Sequence, residues 1–214
     1  MSDAELAGRQ TWRTFELLTR EHLDRLADLA ARDHEAFTRP AGRPEYRPRR
    51  LLAVLAQGAA RHYLDCLAGH DPGSRTGVKD LDVWTFYAAI PGTAFPAARR
   101  ETHADFGLSS LGRQTYDLAD ARTAREQALW RRFAAYQGRR VDFLMRALPV
   151  WPGAPYAEII QAVQDWLRRG AASSQLKKPS AWHLAQKAMV TLTPAPQRGQ
   201  ILWPADAGPP GRDF

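Results

Sequence analysis

The chain has 214 residues, which is enough for one domain with a sizeable core and barely enough for two small ones. Its hydrophobic fraction of 44%, with 7 Trp, 6 Tyr and 8 Phe, excludes a wholly disordered protein. The single cysteine, Cys66, excludes an internal disulfide framework and favours a reducing compartment. The net charge of +7 favours an anionic partner, although an arginine-rich solvated surface accounts for it equally well.

The N-terminus lacks the basic start and apolar run of a signal peptide, and no stretch approaches the ~20 apolar residues that span a bilayer. We therefore expect a cytoplasmic protein without a membrane partner. Apolar residues recur at helical spacing from about Thr14 to Phe37 and predict an N-terminal helix or helix pair. The prolines at 40, 44 and 48 predict a loop after it.

The next segment, LLAVLAQ at 51–57, is compatible with a strand or a helix, and residues 59–67 have helical spacing. Turn residues at 69–77 predict an exposed loop. The segment LDVWTFYAAI that follows has the strongest strand pattern of the chain. Further patterns predict helices at 119–136, 156–168 and 180–192, with a second apolar strand at 141–145.

Acidic residues occur at the start of both predicted strands. Because side chains of a strand alternate between faces, Asp80 and Asp82 share one face, about 6 to 7 Å apart, while Leu81 and Val83 point into the core. Asp142 opens the second strand, where a buried acid is unusual. If the two strands are neighbours, the three carboxylates can converge on a divalent cation, as two-metal phosphoryl transfer requires. Alternatively, Asp80 and Asp82 face solvent, and Asp142 pairs with Arg139, Arg140 or Arg146.

The chain resembles the DNA polymerase β-like nucleotidyltransferase superfamily in three places. These are the Gly58-Ala59 pair after an apolar segment, the acid-apolar-acid strand Asp80-Leu81-Asp82-Val83, and the later strand Val141-Asp142-Phe143. The segments QGAARHYLD, GVKDLDVWTFYA and GRRVDFLMRALP also resemble a group of small bacterial proteins, which implies a fold but no substrate.

The resemblance implies that Gly58 approaches the nucleotide phosphates and that Asp80, Asp82 and Asp142 hold Mg²⁺ or Mn²⁺. The chain departs from the superfamily at Ala59, where serine or glycine is usual, and in a longer spacing between the glycine and the first acid. The alternative pair Gly73-Ser74 has the usual residues but stands only just before Asp80.

Cations near these segments are further candidates for the nucleotide site. Lys79 and Arg113 are candidate phosphate clamps, and Lys187 on the late helix matches, by analogy with the superfamily, a basic residue that completes the nucleotide site. Exposed surface charge is the alternative for each of them. His62 is interpreted as a core residue that donates to a backbone carbonyl, or else as a residue of the same cleft.

The sequence therefore predicts an α/β (α+β) fold with a small mixed sheet flanked by helices. We expect an N-terminal helical extension at 1–50, a nucleotidyltransferase-like domain at 51–204 and a disordered tail at 205–214. The expected function is metal-dependent transfer of a nucleoside monophosphate (NMP) from a nucleoside triphosphate (NTP) to an RNA, protein or small-molecule acceptor. tRNA-modifying toxins with a cognate antitoxin are one such case. The alternatives are a catalytically silent nucleotide- or partner-binding module and a basic RNA-binding protein.

Overall fold

The computed structural model describes residues 14–70, 77–107, 109, 111, 123–124, 127–128, 138–171 and 188–204. Its six strands are β1 (Arg50–Ala56), β2 (Leu81–Ala88), β3 (Arg99–Ala104), β4 (Arg139–Leu148), β5 (Met189–Thr193) and β6 (Ile201–Trp203). They form one sheet in the order β3-β4-β2-β1-β5-β6. β2 and β4 run parallel, whereas the other neighbouring strands are antiparallel. The predicted mixed sheet with flanking helices is confirmed.

Helices cover both faces of this sheet. α1 (Arg20–Phe37) and α2 (Gln57–Leu67) pack on one face, where their apolar residues share a core with alternate residues of β1, β2, β4 and β5. α3 (Tyr156–Ala171) packs on the other face through Ile159, Val163 and Leu167. The N-terminal helix is therefore part of the main core. None of the described helices has the length and apolar character needed to cross a membrane.

Two predicted helices differ from the structure. The first begins at Arg20, where Thr19 and His22 form a capping box, while Thr14 instead pairs with Val78 in an isolated β-bridge. The late helix predicted to end at Leu192 is wrong over its last residues, because Met189–Thr193 is strand β5. Helical and alternating apolar patterns coincide over so short a segment, and its β-branched residues favour the strand.

The ambiguous segment 51–57 is strand β1 up to Ala56, and residues 59–67 lie in α2 as predicted. The β2 and α3 predictions are confirmed, and the second predicted strand extends over Arg139–Leu148. The sequence prediction missed β3 and β6. The predicted helix at 119–136 lies almost wholly outside the described residues, and so does the tail at 205–214.

Two histidines of the α1 and α2 layer are held by hydrogen bonds. His62 is buried and its Nε2 donates to the carbonyl of Glu16 at 2.7 Å, which confirms the core interpretation. The Nδ1 atom of His34 lies 3.0 Å from the hydroxyl oxygen of Tyr87, and the two rings are stacked. Burial, with Arg50 and Arg47 nearby, lowers the pKa of His34 from 6.5 to about 4.

We expect this neutral histidine to make the fold sensitive to acid. Between pH 6.5 and 4 the unfolded chain binds a proton at His34 that the folded chain does not, so the free energy of unfolding falls as the pH is lowered. Urea denaturation at pH 7 and pH 4.5 should show a loss about 1 to 2 kcal/mol larger in the wild type than in His34→Gln. Equal losses in the two proteins would contradict the assignment.

Candidate functional site

The parallel pairing of β2 with β4 brings the predicted acids together. Asp82 lies directly beside Asp142 in this register, and Asp142 in turn lies beside Glu101 of β3. Residues opposite one another in neighbouring strands point to the same face of the sheet. Since side chains alternate along a strand, Trp84, two residues after Asp82 in β2, lies on this face too. The carboxylates therefore form a cluster on the α3 side of the sheet.

Asp142 is the buried centre of this cluster. It is 0% exposed, and its Oδ2 accepts hydrogen bonds from Arg99 Nη2 and Arg140 Nη2, both at 2.6 Å. Its other oxygen, Oδ1, is buried and has no hydrogen-bond partner among the described residues. A buried carboxylate is costly unless its charge is compensated, and here two guanidinium groups compensate it through a single oxygen.

Arg140 links the first predicted acid to the third. Its Nη2 is 3.2 Å from Asp80 Oδ2, and the same group binds Asp142. A second contact runs from Arg140 Nε to Asp142 Oδ2 at 3.2 Å. With only 15% of its side chain exposed, Arg140 is held between the two carboxylates. The predicted pairing of Asp142 with a neighbouring arginine is thus confirmed for Arg140.

The position of Asp82 in the cluster raises the pKa of its carboxyl group. Burial raises the pKa of its carboxyl group from 3.8 to about 7, and the neighbouring charges of Asp80 and Asp142 add to the rise more than Arg99 and Arg140 offset it. The charge of the cluster therefore changes near neutral pH.

The start of α2 lies next to the cluster. Ala56, the last residue of β1, is the antiparallel partner of Asp82, and Gly58 follows two residues later in the first turn of α2. A side chain at Gly58 would meet no atom within 4 Å, so this turn has open space beside it. Gln57 has a φ of 60°, in the left-handed region that non-glycine residues rarely adopt. Such backbone strain clusters at functional sites.

Of the three cations predicted to bind nucleotide, only Lys79 lies within the described residues. Lys79 is exposed and directly precedes Asp80, and its carbonyl accepts a hydrogen bond from Arg139. Arg113 and Lys187 lie outside the described residues, as does the alternative pair Gly73-Ser74.

Arg139, which the sequence indicated only as a possible partner of Asp142, has a structural role in the site. It is 1% exposed, and its guanidinium donates to the carbonyls of Leu111, Val78 and Lys79 at 2.9, 3.3 and 3.0 Å. These bonds fix the backbone immediately before Asp80. The positive φ of Gly138 precedes it, and a Cβ there would lie 2.4 Å from the carbonyl oxygen of Ala104.

The donor chemistry fits a hard divalent cation, because carboxylate oxygens are its preferred ligands and Asp142 Oδ1 is unpaired within the described part of the chain. In this structure the side chains do not form a complete set of metal ligands. Within the described ranges, no three His, Cys, Asp or Glu side chains are arranged to hold a metal ion. In this structure the Oδ2 atom of Asp142 binds two arginines.

Comparisons with known proteins do not add to this geometry. No protein-family model, curated protein or solved structure matches the chain.

Proposed function

We propose that the chain is a metal-dependent nucleotidyltransferase that moves an NMP from an NTP to an acceptor hydroxyl. The observation that supports this most is the side-by-side position of Asp82 and Asp142 on parallel strands, with Asp80 joined to Asp142 through Arg140. Carboxylates that converge from neighbouring strands, here Asp82 of β2, Asp142 of β4 and Asp80 directly before β2, are ligands that this chemistry uses to hold its cations. Gly58 lies in the first turn of the helix that precedes β2, and this order of elements agrees with the sequence resemblance.

In this proposal Asp80, Asp82 and Asp142 would hold Mg²⁺ or Mn²⁺, which would supply positive charge at the phosphates and lower the pKa of the acceptor hydroxyl. The acceptor oxygen forms a bond to the α-phosphorus while the α–β phosphoanhydride bond breaks and pyrophosphate leaves. The hydroxyl proton passes to a carboxylate of the cluster. The backbone N–H groups at the start of α2, where Gly58 leaves open space, donate to phosphate oxygens.

RNA is the acceptor that agrees best with the charge of the chain. The net charge is +7, and the segment 39–50 has five arginines and one acid. Arg39, Arg43 and Arg47 are exposed around the 3-10 helix Pro44–Arg49. Arginine binds phosphate in a bidentate manner, and such a surface attracts a nucleic-acid backbone.

The test is label transfer from each NTP with Mg²⁺ or Mn²⁺ and RNA, protein or small hydroxylated acceptors. We expect transfer by the wild type and a loss on the order of 100-fold or more in Asp80→Asn and in Asp82→Asn. Asp165→Asn is the matched control, because Asp165 is a surface acid on α3 paired with Arg168. Transfer that continues undiminished in both cluster variants would overturn the proposal.

The arginines on Asp142 favour a second candidate, a catalytically silent module that binds nucleotide or a protein partner. It predicts a higher melting temperature with NTP and metal but no product, because a ligand that binds only the folded state stabilises it. A basic RNA-binding protein would instead bind RNA with steep salt dependence and no effect of Asp80→Asn.

A further inference from the structure

Arg99 and Arg140 bind the same oxygen of Asp142 but are held very differently. Arg140 makes contacts to both Asp80 and Asp142, and 15% of its side chain is exposed. Arg99 comes from β3, the outermost strand of the sheet, and 57% of its side chain is exposed. Its only carboxylate contact among the described residues is the 2.6 Å bond to Asp142. Arg99 can therefore leave Asp142 at much lower cost than Arg140.

Arg99 binds the carboxylate of Asp142, which a cation would also need. While Arg99 binds Asp142, the Oδ2 atom is shared by two guanidinium groups, whose positive charge also repels a divalent cation at Oδ1. Removal of Arg99 without replacement would leave more uncompensated negative charge around Asp142, which lies beside Asp82 and shares Arg140 with Asp80. A phosphate ligand changes this balance, because a guanidinium binds phosphate as well as carboxylate.

We propose that Arg99 is an exchangeable arginine that binds Asp142 when no ligand is present and moves to a phosphate oxygen of a nucleotide when one binds. Nucleotide binding then frees Asp142 for the divalent cation, so each ligand raises the affinity of the site for the other. This inference rests on the proposed function, and it assigns to Arg99 the role of a nucleotide-binding residue that also controls entry of the cation.

Two affinities separate this role from a structural one. The first is the affinity for Mn²⁺ alone, measured by the electron paramagnetic resonance signal of free Mn²⁺. The second is the affinity for a preformed complex of Mn²⁺ with a nonhydrolysable NTP analogue, measured by calorimetry with each of the four bases. In Arg99→Gln we expect Mn²⁺ alone to bind about 10-fold more tightly and the Mn²⁺–nucleotide complex about 10-fold more weakly.

The matched control is Arg146→Gln, because Arg146 is an exposed arginine whose guanidinium lies 5.5 Å above the Trp84 ring instead of on a carboxylate. It should change both affinities by less than about twofold, and thermal unfolding verifies that both variants fold. If Arg99→Gln changes the two affinities in the same direction, or changes neither, Arg99 is not exchangeable, whereas the proposed function still stands if the wild type binds the complex. Failure of the wild type to bind either ligand would overturn both proposals.

Discussion

Replacing Asp82 by asparagine should make the ligand-free protein more stable at pH 8. The ionised carboxylate lies beside Asp80 and Asp142 on a largely covered face, and its pKa is raised to about 7. Asparagine has nearly the same shape and no charge, so it removes the repulsion. We expect a gain of about 2 to 4 kcal/mol in the free energy of unfolding at pH 8, with the lower figure allowing for solvent screening.

The sign of the pH dependence makes the test specific. Between the unfolded pKa of 3.8 and the folded pKa of about 7, the folded protein binds a proton at Asp82 that the unfolded chain has lost. This contribution to stability is present at low pH and is lost as the pH rises to 7. Urea denaturation in the presence of a chelator should show the advantage of Asp82→Asn growing by about 2 kcal/mol from pH 5 to pH 8.

Asp165→Asn is the control here as well, because an exposed ion pair such as Asp165 with Arg168 contributes 0 to about 1 kcal/mol. A variant Asp82→Asn that is less stable than the wild type at pH 8 would show that the carboxylate is satisfied in the fold. A stabilised variant that has lost transfer activity would instead show that the acid is retained for function at the expense of stability.

The acidic cluster could be predicted from the sequence only in part. Alternation along the predicted strand places Asp80 and Asp82 on one face and Leu81 and Val83 in the core. The structure confirms that arrangement for Leu81, Asp82 and Val83, whereas Asp80 lies just before β2. Local patterns do not determine which strands pair, so the position of Asp142 beside Asp82 depended on an assumption about the sheet. The register of β2 with β4 agrees with that assumption.

The roles of two arginines of the site, Arg99 and Arg139, could not be predicted from the sequence for a different reason. Strand β3 has the sequence RRETHA, which has no apolar alternation, because it is an outer strand with partly exposed faces. Without that strand, Arg99 has no predicted position and its bond to Asp142 cannot be inferred. The sequence indicates Arg139 only as a possible partner of Asp142. Burial of a charged side chain against backbone carbonyls leaves no periodic pattern in the sequence, so this structural role could not be predicted.

Replacing Arg139 by methionine should cause the largest loss of stability among the arginines of the site. The side chain is 1% exposed and donates hydrogen bonds to the carbonyls of Val78, Lys79 and Leu111. Methionine fills most of the volume but donates nothing, so buried acceptors lose their partners at about 1 to 3 kcal/mol each. Neighbouring groups relax in part, and we expect a total loss of about 3 to 5 kcal/mol in the free energy of unfolding.

Arg139→Lys separates charge from geometry, because lysine retains the positive charge but lacks the planar group that reaches three carbonyls at once. It should recover less than half of the loss, whereas Arg146→Met, at an exposed position of β4, should change stability by less than about 1 kcal/mol. A loss below 1 kcal/mol in Arg139→Met would contradict a structural role. Because Arg139 fixes the backbone before Asp80, we expect Arg139→Lys to lose label transfer even at temperatures where it remains folded. The carboxylate cluster therefore depends on the buried Arg139 for the position of Asp80 and on Arg99 and Arg140 for its charge balance.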